Sequence, residues 1–212
     1  MGVVTISAAF GAGGSEIGPA VARRLGLPFV DRAIPAAVAQ QLGVSLDEAQ
    51  DHDETVDTGL ARLMSTLALV PDLAGAGALT YARVADEATF QERTEQVLAD
   101  IAAGPGGVVL GRGGAFVLAK EPDALHVRLS GPGKGRLARL IERHPEVHPE
   151  ELRHRMLEND RARGAYIRHF YRADPADVRH YHMSIDTSTL AWDAVTEIIV
   201  VAARSRGIGS LA

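Results

Sequence analysis

Cysteine is absent from this 212-residue chain, which excludes disulfides, thiol nucleophiles and thiolate zinc sites. Aromatic residues make up only 5% of it, against 46% hydrophobic residues overall. That balance suits one α/β domain, with room for a small inserted subdomain and a real core. Lysine is scarce: 20 of the 22 basic residues are arginine, and Lys120 and Lys134 are the exceptions. An arginine-biased composition explains abundance, so only the position of an arginine carries weight. No apolar run approaches the ~18–20 residues that cross a bilayer. The N-terminus has neither a basic segment nor an apolar segment of a secretory leader. Met1-Gly2 is followed by Ile6 where an acylation signal wants Ser or Thr. These absences predict a cytoplasmic protein with no membrane partner. A net charge of −5 argues against generic nucleic-acid binding. There is no internal repeat, low-complexity tract or interdomain linker.

What is present begins at once. Val3-Val4-Thr5-Ile6 is a short apolar run, Phe10-Gly11-Ala12-Gly13-Gly14-Ser15-Glu16-Ile17-Gly18 is rich in glycine, and an amphipathic run follows. The order is strand, glycine loop, helix. Such a loop turns backbone N–H groups inward at a helix N-terminus, where the dipole favours an anion. Gly11, Ala12, Gly13, Gly14, Ser15 and Glu16 are therefore the candidate phosphate-binding residues. The loop lacks the lysine of G-x-x-x-x-G-K-[ST]. It is no dinucleotide fingerprint either, because Glu16 stands where the third glycine of G-x-G-x-x-G belongs and would face a pyrophosphate badly. A glycine-rich turn with no ligand is the alternative.

Gly26 caps the first helix, and Leu27–Asp31 is a second strand with Asp31 at its carboxyl end, where open α/β sheets bind ligands. Residues 33–43 and 80–102 read as helical, Ser45-Leu46-Asp47-Glu48 as a capping box, and the acid-rich stretch 47–57 as a solvated face. The middle third reads as a helical covering region. After a turn at Gly104–Gly107, Val108–Leu110 is a strand that runs into Gly111-Arg112-Gly113-Gly114 and a helix. Leu125–Leu129 is a further strand, with Leu125, Val127 and Leu129 on one face. Helices follow at Arg136–Arg143 and Glu150–Tyr166, then a strand at Met183–Asp186 and a helix at Leu190–Arg204. The pattern predicts a doubly wound, mostly parallel sheet.

Two further features carry chemistry. Arg112 stands at a strand end among glycines, where a guanidinium can grip phosphate or carboxylate; a surface arginine in a turn is the plain alternative. Arg153, Arg155, Arg161, Arg163, Arg168 and Arg172 surround Asp160. An ion-paired, solvated helix is the ordinary meaning of such a series. Gly164, however, predicts a break, after which Tyr166–Arg172 would form a mobile flap whose arginines neutralise a transferring phosphoryl group. His144, His148, His180 and His182 lack a third partner at ligand spacing, so no metal site is expected from them.

Together these segments resemble the cytidylate kinase-like family of P-loop nucleoside monophosphate kinase folds. The carriers are Ile6–Gly18, Leu27–Asp31, Val109-Leu110-Gly111-Arg112-Gly113, Asp160-Arg161-Ala162-Arg163 with Tyr166-Ile167-Arg168, and Ile185–Leu190. The resemblance implies a P-loop NTPase-like, three-layer α/β/α fold with a mostly parallel sheet, a helical insertion and an arginine-bearing lid. It implies one domain over 1–212, with about 33–102 covering the acceptor and about 150–180 forming the lid. Set against a true cytidylate kinase, Gly14 falls at the loop lysine, Glu16 at the Mg²⁺-binding Thr/Ser and Ala8 at the first loop glycine. The family's Arg-Glu before Phe-Gly is Ala8-Ala9 in this chain.

The expected activity is transfer of a phosphoryl group from ATP, with Mg²⁺, to a nucleoside monophosphate or similar small acceptor. Gly11–Glu16 would hold the donor, Asp31, Arg112 and Asp160 the acceptor, and Arg161, Arg163 and Arg168 the transferring group. The alternatives are a catalytically inactive nucleotide- or phosphometabolite-binding regulatory protein, and a fold with no nucleotide affinity. The residues leave the acceptor and the oligomeric state open.

Overall fold

The computed structural model describes residues 2–31, 87–111 and 113–209. The elements, in chain order, are β1 (Val3–Ala8), α1 (Gly14–Leu25), β2 (Phe29–Asp31), α2 (Glu87–Ala103), β3 (Gly107–Leu110), α3 (Gly114–Val117), β4 (Ala124–Ser130), α4 (Gly133–Arg143), α5 (Pro149–Tyr171), a 3₁₀ turn at Val178–His180, β5 (Met183–Asp186) and α6 (Trp192–Ser205). The readings at 33–43 and 45–57 fall outside the described residues, as does the first part of 80–102, whose remainder is α2.

The strands form a five-stranded sheet in the order β2-β3-β1-β4-β5. Every pairing in it is parallel. β1 runs down the middle because its Val-Val-Thr-Ile run is apolar on both faces, as a doubly covered parallel strand must be. Val4 and Ile6 pack against Ile17, Val21 and Leu25 of α1 and Val195 and Ile199 of α6. Val3 on the other face joins Leu98 of α2, with Val109 and Leu118. These two helical layers around the sheet are the predicted three-layer α/β/α architecture. Because β1 has β3 on one side and β4 on the other, a crevice opens at its carboxyl end, and open α/β sheets place their ligands there.

Local signals hold where the chemistry is local. Gly26 closes α1 with φ 65° and its N–H on the carbonyls of Ala22 and Arg23, as a glycine C-cap should. The expected break at Gly164 does not occur: α5 continues to Tyr171. A helical glycine costs about 1 kcal/mol relative to alanine. That cost is outweighed because Tyr166 is 0% exposed and Ile167 and Ala162 are buried beside Phe116, Phe170 and Tyr171. The segment read as a mobile flap is thus the docked end of a helix.

His126 on β4 is a buried imidazole set in the core. Its Nδ1 accepts from the Thr5 hydroxyl at 2.8 Å, and its Nε2 donates to the Leu118 carbonyl at 3.1 Å. Its ring stacks on His182 at 5.0 Å. Burial first, then His182, pushes its pKa down to about 4 from 6.5, with Arg206 adding to the shift and the Leu118 hydrogen bond opposing it. The unfolded chain takes up this proton near pH 6.5 and the folded chain only near pH 4. The contribution of His126 is therefore complete above about pH 6.5 and is lost as pH falls between the two values, by about 3 kcal/mol in all. Urea melts of the wild type and His126→Gln between pH 7.5 and 4 check this. The wild type should lose stability more steeply than the variant, and identical slopes would refute it.

Candidate functional site

The glycine loop leaves β1 and enters α1 through two left-handed residues, Gly11 and Gly13, each at φ 79°. Gly13 caps α1, and its carbonyl takes the N–H groups of Glu16 and Ile17. Ala12 is buried behind the loop. Among the described residues, no hydrogen bond engages the N–H groups of Gly11, Gly13, Gly14 or Ser15. These are the orphan donors that make a helix N-terminus an anion site. The missing lysine also has a steric counterpart. A Cβ on Gly14 would lie 2.6 Å from Ala8 Cβ and 3.0 Å from Leu110 Cδ1, so no side chain can leave the loop there without displacing the sheet.

A clasp from α4 and α5 holds the loop. The Phe10 N–H donates to Asp160 Oδ1 at 2.9 Å, while Arg136 Nη1 donates to the Phe10 carbonyl at 2.6 Å and to Asp160 Oδ2 at 2.7 Å. Arg136 Nε fixes the same guanidinium on the Gly131 carbonyl. One turn along α5 from Asp160, Arg163 Nη1 donates to the Ala8 carbonyl. Both oxygens of Asp160 are thus engaged within the protein. Its side chain is 29% exposed and that of Arg136 only 11%, so water replaces the pair poorly. Asp160→Ala is expected to cost about 2–3 kcal/mol, since it leaves a desolvated guanidinium and an amide without their acceptor. Chemical denaturation measures the loss, and a change below about 0.5 kcal/mol would contradict the clasp.

Loop, clasp and α5 border a cleft of about 610 Å³. Gly11, Gly13, Gly14, Ser15 and Glu16 line one wall, and Gly111 and Gly113 the neighbouring sheet edge. Among the described residues, six arginines line the cleft, Arg128, Arg136, Arg139, Arg143, Arg163 and Arg168, against the acids Glu16, Asp160 and Asp174. Two of those acids are already paired, Asp160 with Arg136 and Glu16 with Arg143. Among the described residues the surplus is positive in a partly desolvated crevice, which favours a polyanion. Phe116, Tyr166 and Tyr181 also line it; Phe116 is backed by Tyr171 at 5.6 Å and His180 at 4.9 Å, and Arg128 lies 5.5 Å from the Tyr181 ring centroid.

The structure brings most of the sequence-derived candidates together. Arg163 and Arg168 line the cleft with Asp160, whereas Arg161 is exposed and does not line it. Asp31 ends β2 at the carboxyl edge of the sheet, paired with Leu110, which lines the cleft. Arg112 lies outside the described residues; Gly111 and Gly113, which flank it, have φ 79° and 65°. Sequence reasoning missed Arg128, Arg136, Arg139 and Arg143. A signal for them was available: Arg136, Arg139 and Arg143 recur at i, i+3 and i+7 directly after a strand, which puts them on one helix face at the ligand edge. Among the described residues no three His, Asp or Glu side chains are grouped as metal ligands, and no helix is long and apolar enough to cross a membrane.

Comparison with known proteins agrees with this geometry. The sequence profile of the cytidylate kinase-like family matches residues 3–189. The chain belongs to that family. This cytidylate kinase-like protein is similar to the crystal structure of an uncharacterized protein from Eubacterium ventriosum, with a TM-score of 0.64, 16% identity and coverage of 97% of this chain and 99% of that one. A shikimate kinase from Acinetobacter baumannii, solved with shikimate, aligns over 97% of this chain and 94% of its own at a TM-score of 0.44 and 16% identity. A Corynebacterium glutamicum protein named uronate isomerase is 25% identical over 158 residues. The match covers 73% of this chain but only 29% of that relative. The family match shows a cytidylate kinase-like fold, while substrate and activity rest on the site itself.

Proposed function

We propose that this protein is a nucleotide-dependent phosphotransferase that moves a phosphoryl group from ATP to a nucleoside monophosphate or similar small acceptor. One observation carries the reading: unengaged N–H groups of a glycine loop open into the same cleft as six arginines. The loop N–H groups of Gly11–Ser15 bind the donor phosphates. Arg163 and Arg168, on the lid helix, face the transferring group and neutralise the charge that spreads over its oxygens. Arg128, near the end of β4, holds the acceptor, and Arg112 and Asp31 are assigned to the same task from the sequence alone. Asp160 acts through the loop by fixing Phe10.

Magnesium bound with ATP would supply charge neutralisation on the phosphates. The donor set suits an ion held mainly by phosphate oxygens and water. Glu16, in the first turn of α1 and paired to Arg143 through Oε2, would offer Oε1 as its protein ligand.

A second reading is binding without turnover, in a regulatory role. It is favoured by the closed space at Gly14, which removes the lysine that usually bridges donor phosphates. ADP formation from ATP and Mg²⁺ against a panel of nucleoside monophosphates separates the two. Acceptor-dependent ADP release supports the phosphotransferase, and binding with no ADP from any acceptor supports the regulator.

A further inference from the structure

We infer that the outer face of α6 is a self-association surface, on which a second copy of this chain docks antiparallel about a two-fold axis. The inference is independent of the reading of the cleft. It starts from a helix whose solvent side lacks charge. Only three of the 14 residues of α6 are charged, Asp193, Glu197 and Arg204. Val195, Ile199, Val200 and Ala203 are buried in the core that α6 shares with α1. At about 3.6 residues per turn, the opposite side presents Ala194, Ile198, Val201 and Ser205, all exposed. Ile198 is 41% exposed and Val201 59%. The exposed side of α5 is different, with Glu150 paired to Arg153 and Glu151 to Arg155. A surface helix carries charge on the side away from the core, and a helix apolar on both sides is one that is covered on both.

The charges beside the stripe choose the occupant. Asp193 and Glu197 stand in the N-terminal half of α6, and Arg204 stands in its last turn. Glu197 and Arg204 share one flank of the stripe and are both tied to Arg24. Arg24 Nη1 donates to the Glu197 carboxylate, and Arg204 Nη2 donates to the Arg24 carbonyl at 3.1 Å. Both charges are therefore held in place beside the stripe. Antiparallel pairing centred between Ile198 and Val201 sets Ile198 of one copy on Val201 of the other, and Ala194 on Ser205. The two-fold also brings Glu197 of each copy to the Arg204 flank of the other and opposes the two helix dipoles. Parallel pairing would set acid against acid. The small side chains of Ala194 and Ser205 let the two backbones approach at the ends of the contact. A face of about four turns is smaller than obligate dimers bury, so the dimer is a weak one, with a dissociation constant in the micromolar range.

Sedimentation velocity of the full chain tests this, at loading concentrations from about 5 to 200 µM that bracket such a constant. The wild type should move from the monomer mass towards twice that mass as concentration rises. Ile198→Glu puts a carboxylate into the middle of the face and should weaken association at least about tenfold. Val201→Glu probes the same face a second time. Both positions are exposed, so both variants are expected to fold, and circular dichroism melts confirm that. Glu197→Arg and Arg204→Glu each set like charges opposite one another and should dimerise more weakly than the wild type. An equimolar mixture of those two restores both pairs and should form dimer where neither variant alone does. A wild type that stays monomeric over the whole range overturns the inference, as does wild-type association in Ile198→Glu and Val201→Glu. A mixture that associates no better than its components overturns the antiparallel arrangement.

Discussion

Arg168→Ala is expected to lower phosphoryl transfer by about 10³-fold or more and to leave the melting temperature within about 2 °C of wild type. Arg168 lines the cleft from the last turns of α5 and is exposed, so its removal costs charge at the reacting group without unpacking a core. Its neighbours on α5 define the controls. Arg163 lines the same cleft and donates to the Ala8 carbonyl, so Arg163→Ala should impair loop geometry as well as rate. Arg161 does not line the cleft, and Arg161→Ala should leave turnover within about twofold of wild type. Steady-state kinetics on the three variants checks the set. Equal losses at positions 161 and 168 would contradict the assignment, because screening leaves an exposed arginine outside the cleft with little effect on a reacting group inside it.

Tyr166→Ala is expected to destabilise the protein by about 3–5 kcal/mol, which at this chain length is a fall of roughly 10 °C in melting temperature. Tyr166 is 0% exposed. Its ring meets Phe170 at 4.7 Å and Tyr171 at 6.1 Å, so truncation leaves a cavity among aromatic neighbours that cannot collapse easily. Differential scanning calorimetry gives the answer. A loss under about 1 kcal/mol would show that the end of α5 is not docked.

How far the sequence speaks depends on the range of the interaction. The glycine loop, the Gly26 cap and the strand at Val108–Leu110 are governed by neighbours in the chain, and each is legible from residue type and spacing. The parallel sheet follows from apolar runs with no polar alternation, such as Val3–Ile6. Gly164 misleads because the local preference for a break is small, and the burial that overrides it involves Phe116 from another element. The role of Asp160 is hidden for the same reason. Its partners Phe10 and Arg136 lie 150 and 24 residues away in sequence, and residue type alone cannot distinguish a carboxylate that holds a loop from one that holds a ligand. The arginines of α4 were visible as a spacing. Their meaning depends on which face α4 turns to the loop, and that is set by the packing of Leu140 with Leu152 and Met156 of α5. The missing lysine reads as a loss in sequence. In three dimensions the Gly14 position is filled by Ala8 and Leu110, and cationic charge reaches the cleft from α4, α5 and the end of β4 instead.

The central claim is that this loop binds a nucleoside triphosphate without a lysine. A thermal-shift titration of the wild-type chain with ATP, GTP, CMP and pyrophosphate, each with and without Mg²⁺, tests it most directly. The account predicts a dose-dependent rise with the triphosphates, larger with Mg²⁺. At about a hundred times the dissociation constant the rise should reach roughly 5–10 °C. A flat response to every ligand at millimolar concentration would contradict it.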